Sequence, residues 1–421
     1  QSQTFRRRML AVDPMLQVLM PGRRIEMPPA TDLFAREIDR EFPEVRRVVD
    51  ELYADLADTN AAADAVFERD VVWPPGGFWE RRETARAVAR LPHLGASGEA
   101  ARELLADFPR EHPYRTVVDV TARFSADRAE PLSSFAVARL HGAWTRGLSC
   151  LAGGEDELAD FLVERVRAHG GEVELAERAE KIVVRGGRAT GVSVFGDDAT
   201  VGVQFVVTDD TATSLLELAA AYEPSRRALA SLPNVRVASR RFVVSMLVRN
   251  EGLPAALGRE AFIVPRPPSF EGAIHLQRTT PRDAPAGTSL LVAEVFLDAE
   301  NPRELDDAIE TARARVLSTL EPFLPFYERH VLVADSPHDG LPLWDYRGGK
   351  RALVERALLR RTGATTEPEP MQPVYAIDAG AAGRQGSEAM LAGLSGEMLR
   401  GPLDNAFLVG KSTMPALGQE G

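Results

Sequence analysis

Between Gly153 and Leu218 the hydrophobic period of the chain changes twice, and this alternation constrains the fold more than any other feature. Gly153 and Gly154 open a run in which Leu158, Phe161, Leu162 and Val166 recur at helical spacing, with Asp156 and Glu157 in the first turn and Gly170-Gly171 as the stop. The period then drops to two in the short runs "EVEL", "KIVV", "ATGVSVF" and "VGVQFVV", and Gly186-Gly187 between the second and third is a hairpin signal. A further helix is predicted from about Thr211, with Asp210 or Thr211 as its N-cap. A helix, a meander and a second helix within one segment exclude an all-α or all-β chain and point to an α/β class.

The flanking regions differ in character. The first 150 residues read as helix-dominated. "TDLFAREIDREFPEVRRVVDELYADL" places Leu33, Ile38, Val45, Val48, Val49 and Leu52 on helical spacing, interrupted at Pro43. Further helices are predicted from Glu80 to about Leu105 and from Pro131 to about Leu148, with the loop "VVWPPGG" ahead of the first. Beyond residue 223, "SRRFVVSMLVRNEGLP", "GAIHLQRTT" and "TSLLVAEVFL" read as strands, and "NPRELDDAIETARARVLSTLEPFL" as a long helix. "TGATTEPEPMQP" is a Pro-rich connector. The chain ends with a short apolar strand running into a polar, glycine-punctuated loop, "DNAFLVGKSTMPALGQEG".

At 421 residues two lobes are expected. A net charge of −12 excludes sequence-independent nucleic-acid binding, which requires a basic surface. The single cysteine, Cys150, cannot form an internal disulfide and suits a reducing, cytoplasmic compartment. No apolar run reaches the ~18 residues of a spanning helix, which leaves peripheral contact as the expected form of any membrane association. HExxH, CxxC and GxSxG motifs are absent, and "DYRGGKRA" lacks the Ser/Thr and first glycine of a P-loop. "GAAGRQG" (Gly380 to Gly386) has GxxGxxG spacing, and Pro373 and Asp378 are expected to spoil a strand ahead of it. His275 reads as structural, and His338 and Asp339 as part of a turn. Trp73, Trp79 and Trp144 read by default as core, with a channel lining as the functional alternative.

The ordered set "GG…L…L…GGEV.L…A.KI.V.GGRA.GV", "DPMLQVLMPGRRIEMPPATDLFAREIDREFPE" and "NAFLVGKSTMPALGQEG" resembles the phytoene desaturase-like flavoproteins of the carotenoid desaturase and amine oxidase superfamily, in order and over nearly the whole chain. The resemblance implies a two-lobed α/β protein. A Rossmann-like FAD/NAD(P)-binding lobe would come from residues 151–222 and 371–421, and a substrate lobe of mixed sheet and helices from residues 1–150 and 223–370. It implies FAD as cofactor and a hydride moved between flavin and an apolar small molecule, an isoprenoid or polyene, by a desaturase, dehydrogenase or saturase.

By the same resemblance, the backbone of Ala179 contacts adenine, Thr208 and Asp209 form a nearby strand tip, and Gly410 approaches the pyrophosphate and ribityl chain. Lys411, Ser412, Thr413, Gly418, Gln419 and Glu420 would follow along the isoalloxazine, with a helix starting near Gly418. Lys411 stands where the family has an acid, and the family's opening GxGxxG strand and turn do not occur at the start of this sequence. The expectation is therefore an incomplete FAD lobe within a piece of a longer flavoprotein. A reading from another class is a flavin-free carrier of prenyl or lipid groups on the same fold, or an inactive fragment.

Overall fold

The computed structural model describes residues 9–68, 78–89, 91–93, 103–129, 131–151, 154–175, 177–196, 200–226, 229, 232–281, 283–356, 368–378 and 401–420. Elements in chain order begin with β1 (Met9–Ala11), β2 (Leu16–Met20) and β3 (Arg23–Met27). The helices α1 (Thr31–Glu41), α2 (Arg46–Phe67), α3 (Phe78–Val88), α4 (Pro113–Ser125) and α5 (Ser134–Thr145) follow. Then come β4 (Ser149–Leu151), α6 (Gly154–Ala168), β5 (Ala179–Arg185), β6 (Arg188–Val194), β7 (Thr200–Gly202), β8 (Val206–Thr208) and α7 (Ala212–Leu218). The remainder is β9 (Asn234–Arg249), β10 (Glu260–Ile263), β11 (Ile274–Thr279), β12 (Thr288–Asp298), α8 (Pro302–Leu320), β13 (Val331–Asp335), β14 (Leu343–Asp345), β15 (Ala352–Val354), β16 (Gln372–Asp378) and β17 (Ala406–Leu408).

One large mixed sheet dominates, in the order β15-β14-β13-β9-β12-β11-β10-β2-β3, with β16 on the first half of β9. Its strands alternate between two buried faces. Leu291, Ala293, Val295 and Leu297 of β12 join Phe242, Val244 and Met246 of β9 under α8, where Val316 and Leu320 meet them. Phe262 and Phe296 point the other way, into a core with Val117, Phe124 and Ala138 of α4 and α5. Both faces are covered, so the strands read as nearly continuous apolar runs.

The smaller lobe holds the meander β5-β6-β7 and the parallel pair β17-β8. Gly186 and Gly187 have φ of 57° and 81°, the double left-handed turn that a two-residue hairpin needs. Thr211 caps α7 by accepting from the Ser214 N–H. The parallel pair is joined to the meander by Asn405, whose side chain donates to the carbonyls of Ala189 and Gln204 and accepts from the Ala189 N–H.

Several expectations are corrected. The N-terminal region contributes a hairpin, β2-β3, and β2 runs parallel to β10, so residues near both the start and the middle of the chain share one sheet. The helix expected from Glu80 to about Leu105 ends at Val88, and α4 was not foreseen. "EVEL" forms no strand: Leu175 is 89% exposed, and no strand among the described residues pairs with this run. "VGVQFVV" is broken into β7 and β8. A strand does form over Gln372–Asp378 despite Pro373, because it pairs antiparallel with β9 near the end of the sheet. The "GAAGRQG" run lies outside the described residues, as does Trp73.

Between α2, α4 and α5 a buried polar chain has a fixed direction. Tyr114 donates to the Tyr53 hydroxyl (3.0 Å), and Tyr53 lies 2.9 Å from His141 Nε2. Thr121 spends its proton on the Val118 carbonyl, so it accepts from His141 Nδ1 at 2.7 Å, which leaves Nε2 as the acceptor for Tyr53. Burial pushes the His141 pKa down to about 3. An unfolded histidine titrates near pH 6.5. From there down to about pH 3 the unfolded chain binds a proton that the native chain refuses. Stability is whole above pH 6.5 and falls with pH by up to about 1.4 kcal/mol per unit on this account. Urea unfolding between pH 6 and 4 is expected to show a slope shallower by about one proton in His141→Gln than in the unaltered chain.

Candidate functional site

The C-terminal segment brings the lobes together. β17 and β8 run parallel with Leu408 opposite Thr208, and the Val409 N–H donates to the Thr208 carbonyl (2.8 Å). Both strands deliver loops at their carboxyl ends, where open α/β sheets place ligands. Gly410 has φ of 85°, and a Cβ there would lie 3.3 Å from Asp209 Cβ, so the two strand ends approach closely only with glycine. The Thr413 hydroxyl and N–H both donate to the Gly410 carbonyl, at 2.6 and 3.1 Å, curling the loop into a turn.

Lys411 leans away from that turn. Its Nζ donates to Gln372 Oε1 (3.3 Å) and lies 3.9 Å from Asp127 Oδ1. Asp127 follows the C-terminus of α4, is buried, and accepts at 3.4 Å from Arg241 Nη2. Burial pushes the Asp127 carboxyl up, against the opposing pull of Arg241 and Lys411. Arg241 also donates to Glu294 (2.6 Å) and to the carbonyls of Phe124 and Ala126. The backbone completes the junction: Asp127 N–H donates to the Pro415 carbonyl and Tyr375 N–H to that of Asp127, both at 2.8 Å.

Thr208, Asp209, Gly410, Lys411, Ser412 and Thr413 thus gather at one locus. Ala179 is exposed at the end of β5 away from the Gly186-Gly187 turn, and it is this turn that touches Asp404 ahead of β17. In place of the helix expected to start near Gly418, a 3₁₀ turn spans Pro415–Glu420, kinked at Gly418 with φ 56° and ψ −127°. Gly418 is packed against α4: an added Cβ would sit 1.9 Å from the Ser125 carbonyl oxygen. Gln419 and Glu420 contribute backbone to this turn, and their side chains lie outside the described residues.

Asp127, Arg241, Gln372 and Asn405 escaped sequence reasoning. Arg241 and Glu294 each interrupt an apolar strand, a signal that a pair is buried there. Asp127 and Gln372 sit in unremarkable loop and strand-end contexts and carry no such signal. Trp144 belongs to the core beside Phe262, whereas Trp79 is exposed on α3. His275 stacks on Phe262 and bonds Glu260, a structural histidine. Asp339 does more than make a turn: fully buried, it binds Arg313 of α8 by two bonds.

Two polar atoms at this junction, Ser412 Oγ and Arg241 Nε, are buried without a hydrogen-bond partner among the described residues. An orphaned hydroxyl costs about 1–3 kcal/mol, and native structures keep one only for a reason. Among the described residues there is no His/Cys/Asp/Glu group suited to a metal and no helix long and apolar enough to cross a membrane.

No protein-family profile and no curated protein matches this sequence. Solved structures do. An oxidoreductase from Methanosarcina mazei is 14% identical and superimposes over 97% of this chain and 81% of its own, with a TM-score of 0.50. Cyclohexylamine oxidase from Brevibacterium oxydans is 12% identical over 98% and 78%, with a TM-score of 0.47. A myxobacterial chondrochloren halogenase, a variant of the FAD-dependent halogenases, is 14% identical over 65% and 47%, with a TM-score of 0.33. The chain shares its mixed α/β fold with the Methanosarcina oxidoreductase. Identities this low define architecture and carry no substrate with them.

Gly418→Ala is expected to cost several kcal/mol, since the new Cβ meets backbone at a positive φ. Gly22→Ala, also at positive φ but with no atom within 4 Å, is expected to cost only about 1–2 kcal/mol. Thermal melts of the two variants against the unaltered chain measure the difference.

Proposed function

We propose that this chain serves an FAD-dependent oxidoreductase. It would hold FAD at the carboxyl ends of β8 and β17 and move a hydride between flavin and an apolar substrate of isoprenoid or polyene type, as a desaturase, dehydrogenase or saturase. The orphaned Ser412 hydroxyl, buried in the loop that Gly410 opens, carries this reading. Its unspent hydrogen bond suits a polar ligand atom, and the fold agrees.

The residues fit the group in separate ways. Gly410 lets backbone lie against a ligand with no Cβ between them. Ser412 and the N–H groups of residues 410–412 offer donors to ribityl or phosphate oxygens, and the Thr208–Asp209 tip forms the other wall. Ala179, on the exposed end of β5, offers backbone to the adenine. Lys411, held by Gln372 and near Asp127, supplies positive charge beside the loop as a point charge, where it cannot accept a ribose hydrogen bond. Bound FAD supplies hydride transfer. The protein's part is to orient the substrate and to exclude water, for which the buried Ala416 and Leu417 form an apolar floor beneath the loop.

Flavin titration with absorbance and fluorescence detection tests this. Saturable FAD binding is expected, weakened about five- to tenfold in Ser412→Ala, the equivalent of one hydrogen bond. Without FAD the same variant is expected to melt no lower than the unaltered chain, because it removes an unsatisfied group. A colourless protein that binds no added FAD overturns the proposal, and bound lipid in such a preparation would favour the carrier reading.

A further inference from the structure

Where the β2-β3 hairpin meets α1, α2 and the end of α5, a cavity of 280 Å³ opens, at the small end of ligand sites, which run from about 300 to 1,000 Å³. Two buried thioethers line it, Met15 just ahead of β2 and Met27 at the end of β3. They are held together by the Met15 N–H, which donates to the Met27 carbonyl at 2.9 Å. Pro28 and Pro29 continue the lining, with the rings of Phe34 and Tyr53, whose centroids lie 5.0 Å apart at an inclination of 61°. Polarizable sulfur and inclined rings favour an aromatic guest over an aliphatic one. Prolines and packed rings have little freedom left to lose, so the shape is preformed.

The charged and polar groups of the lining decide what else the guest carries. Arg46 and Asp50 are each other's partner, with Arg46 Nε donating to the two Asp50 oxygens at 3.1 and 3.0 Å. Arg46 Nη1 is spent on the Ala35 carbonyl and on Asp39, both at 2.9 Å. A charged guest would give up its hydration and meet no uncompensated counter-charge, a costly exchange in an apolar cavity. Tyr53 offers its ring, because its hydroxyl accepts from Tyr114 and donates to His141. Thr145 is different. Its hydroxyl proton goes to the Gly142 carbonyl at 2.7 Å, so towards a guest its oxygen can only accept. The cavity therefore suits a guest that is uncharged, aromatic and able to donate one hydrogen bond.

We propose that this cavity binds a small neutral aromatic molecule with an N–H or O–H donor, of the indole or phenol class, its ring among Met15, Met27 and Phe34 and its donor on Thr145. The site is separate from the flavin reading, since none of these residues belongs to the loop around Ser412.

Calorimetry on the full chain with indole, 1-methylindole, indole-3-acetate and tryptamine tests it. Indole is expected to bind saturably and about five- to tenfold more tightly than 1-methylindole, the worth of one hydrogen bond. It is expected to bind at least about tenfold more tightly than the anion or the cation, each of which would be stranded without a partner. Thr145→Val, which keeps the shape and removes the acceptor, is expected to erase the preference for indole over 1-methylindole. Ala35→Phe, which fills the cavity from α1, is expected to abolish binding of all four. Leu33→Phe, at an exposed position of the same helix outside the lining, is expected to leave binding unchanged. Circular dichroism confirms the fold of each variant. No saturable indole binding, equal or tighter binding of any of the other three, a preference that survives Thr145→Val, or an unchanged indole affinity in a folded Ala35→Phe would overturn the proposal. Measured beside FAD binding, the outcomes stay distinct. Indole without FAD keeps the cavity and removes the flavin, and FAD without indole does the reverse.

Discussion

The Arg241 guanidinium is the interaction on which the arrangement of the two lobes depends. It sits in the large sheet, opposite Phe296 on one neighbouring strand and Gln372 on the other. From there it gathers two backbone carbonyls at the end of α4, the Glu294 carboxylate and Asp127. Each of those partners faces another part of the molecule. Asp127 reaches the C-terminal loop through the Pro415 carbonyl and the nearby Lys411 amine, and Gln372 holds that same amine. A buried cation without these acceptors would be untenable, so sheet, helix end and loop are held to one geometry.

The candidate site is a consequence of that geometry. Parallel strands β8 and β17 end side by side, and the loop after β17 is pinned from below by Gly418 against Ser125 and from the side by Lys411. Between these fixed points Ser412 is buried with its hydroxyl unspent. Rigid support around an unsatisfied donor is how a binding site is preorganised. A cleft beside Phe296 uses the same helix end, so one structural junction borders both the terminal loop and the cleft.

What could be read in advance follows from how local each determinant is. The Gly186-Gly187 hairpin, the Thr211 cap and the helix over 302–320 were legible because turn chemistry, capping and a 3.6-residue period act within a few residues. The β2-β3 hairpin was passed over because "LQVLMPGRRIEM" gains its burial from β10, more than 230 residues away. Leu175 and the "EVEL" run erred in the opposite direction: the alternation is present, but no partner strand exists among the described residues. At the site, Gly410 announced itself by following an apolar strand, whereas Asp127 and Gln372 matter only through contacts across the fold.

By itself the sequence determined the α/β class, the Gly186-Gly187 hairpin and the long strands, the glycine that opens the terminal loop, and a resemblance that named flavin. Those are properties of short windows, where backbone sterics and side-chain periodicity suffice. Only the tertiary structure decided that Arg241 and Asp127 would meet, that Lys411 would turn toward Gln372, that Gly418 would be packed rather than open, and that Ser412 would be left with a hydrogen bond to give. Each of these is a long-range pairing of polar groups out of water, and burial, which sets their energy, exists only once the whole chain has closed around them.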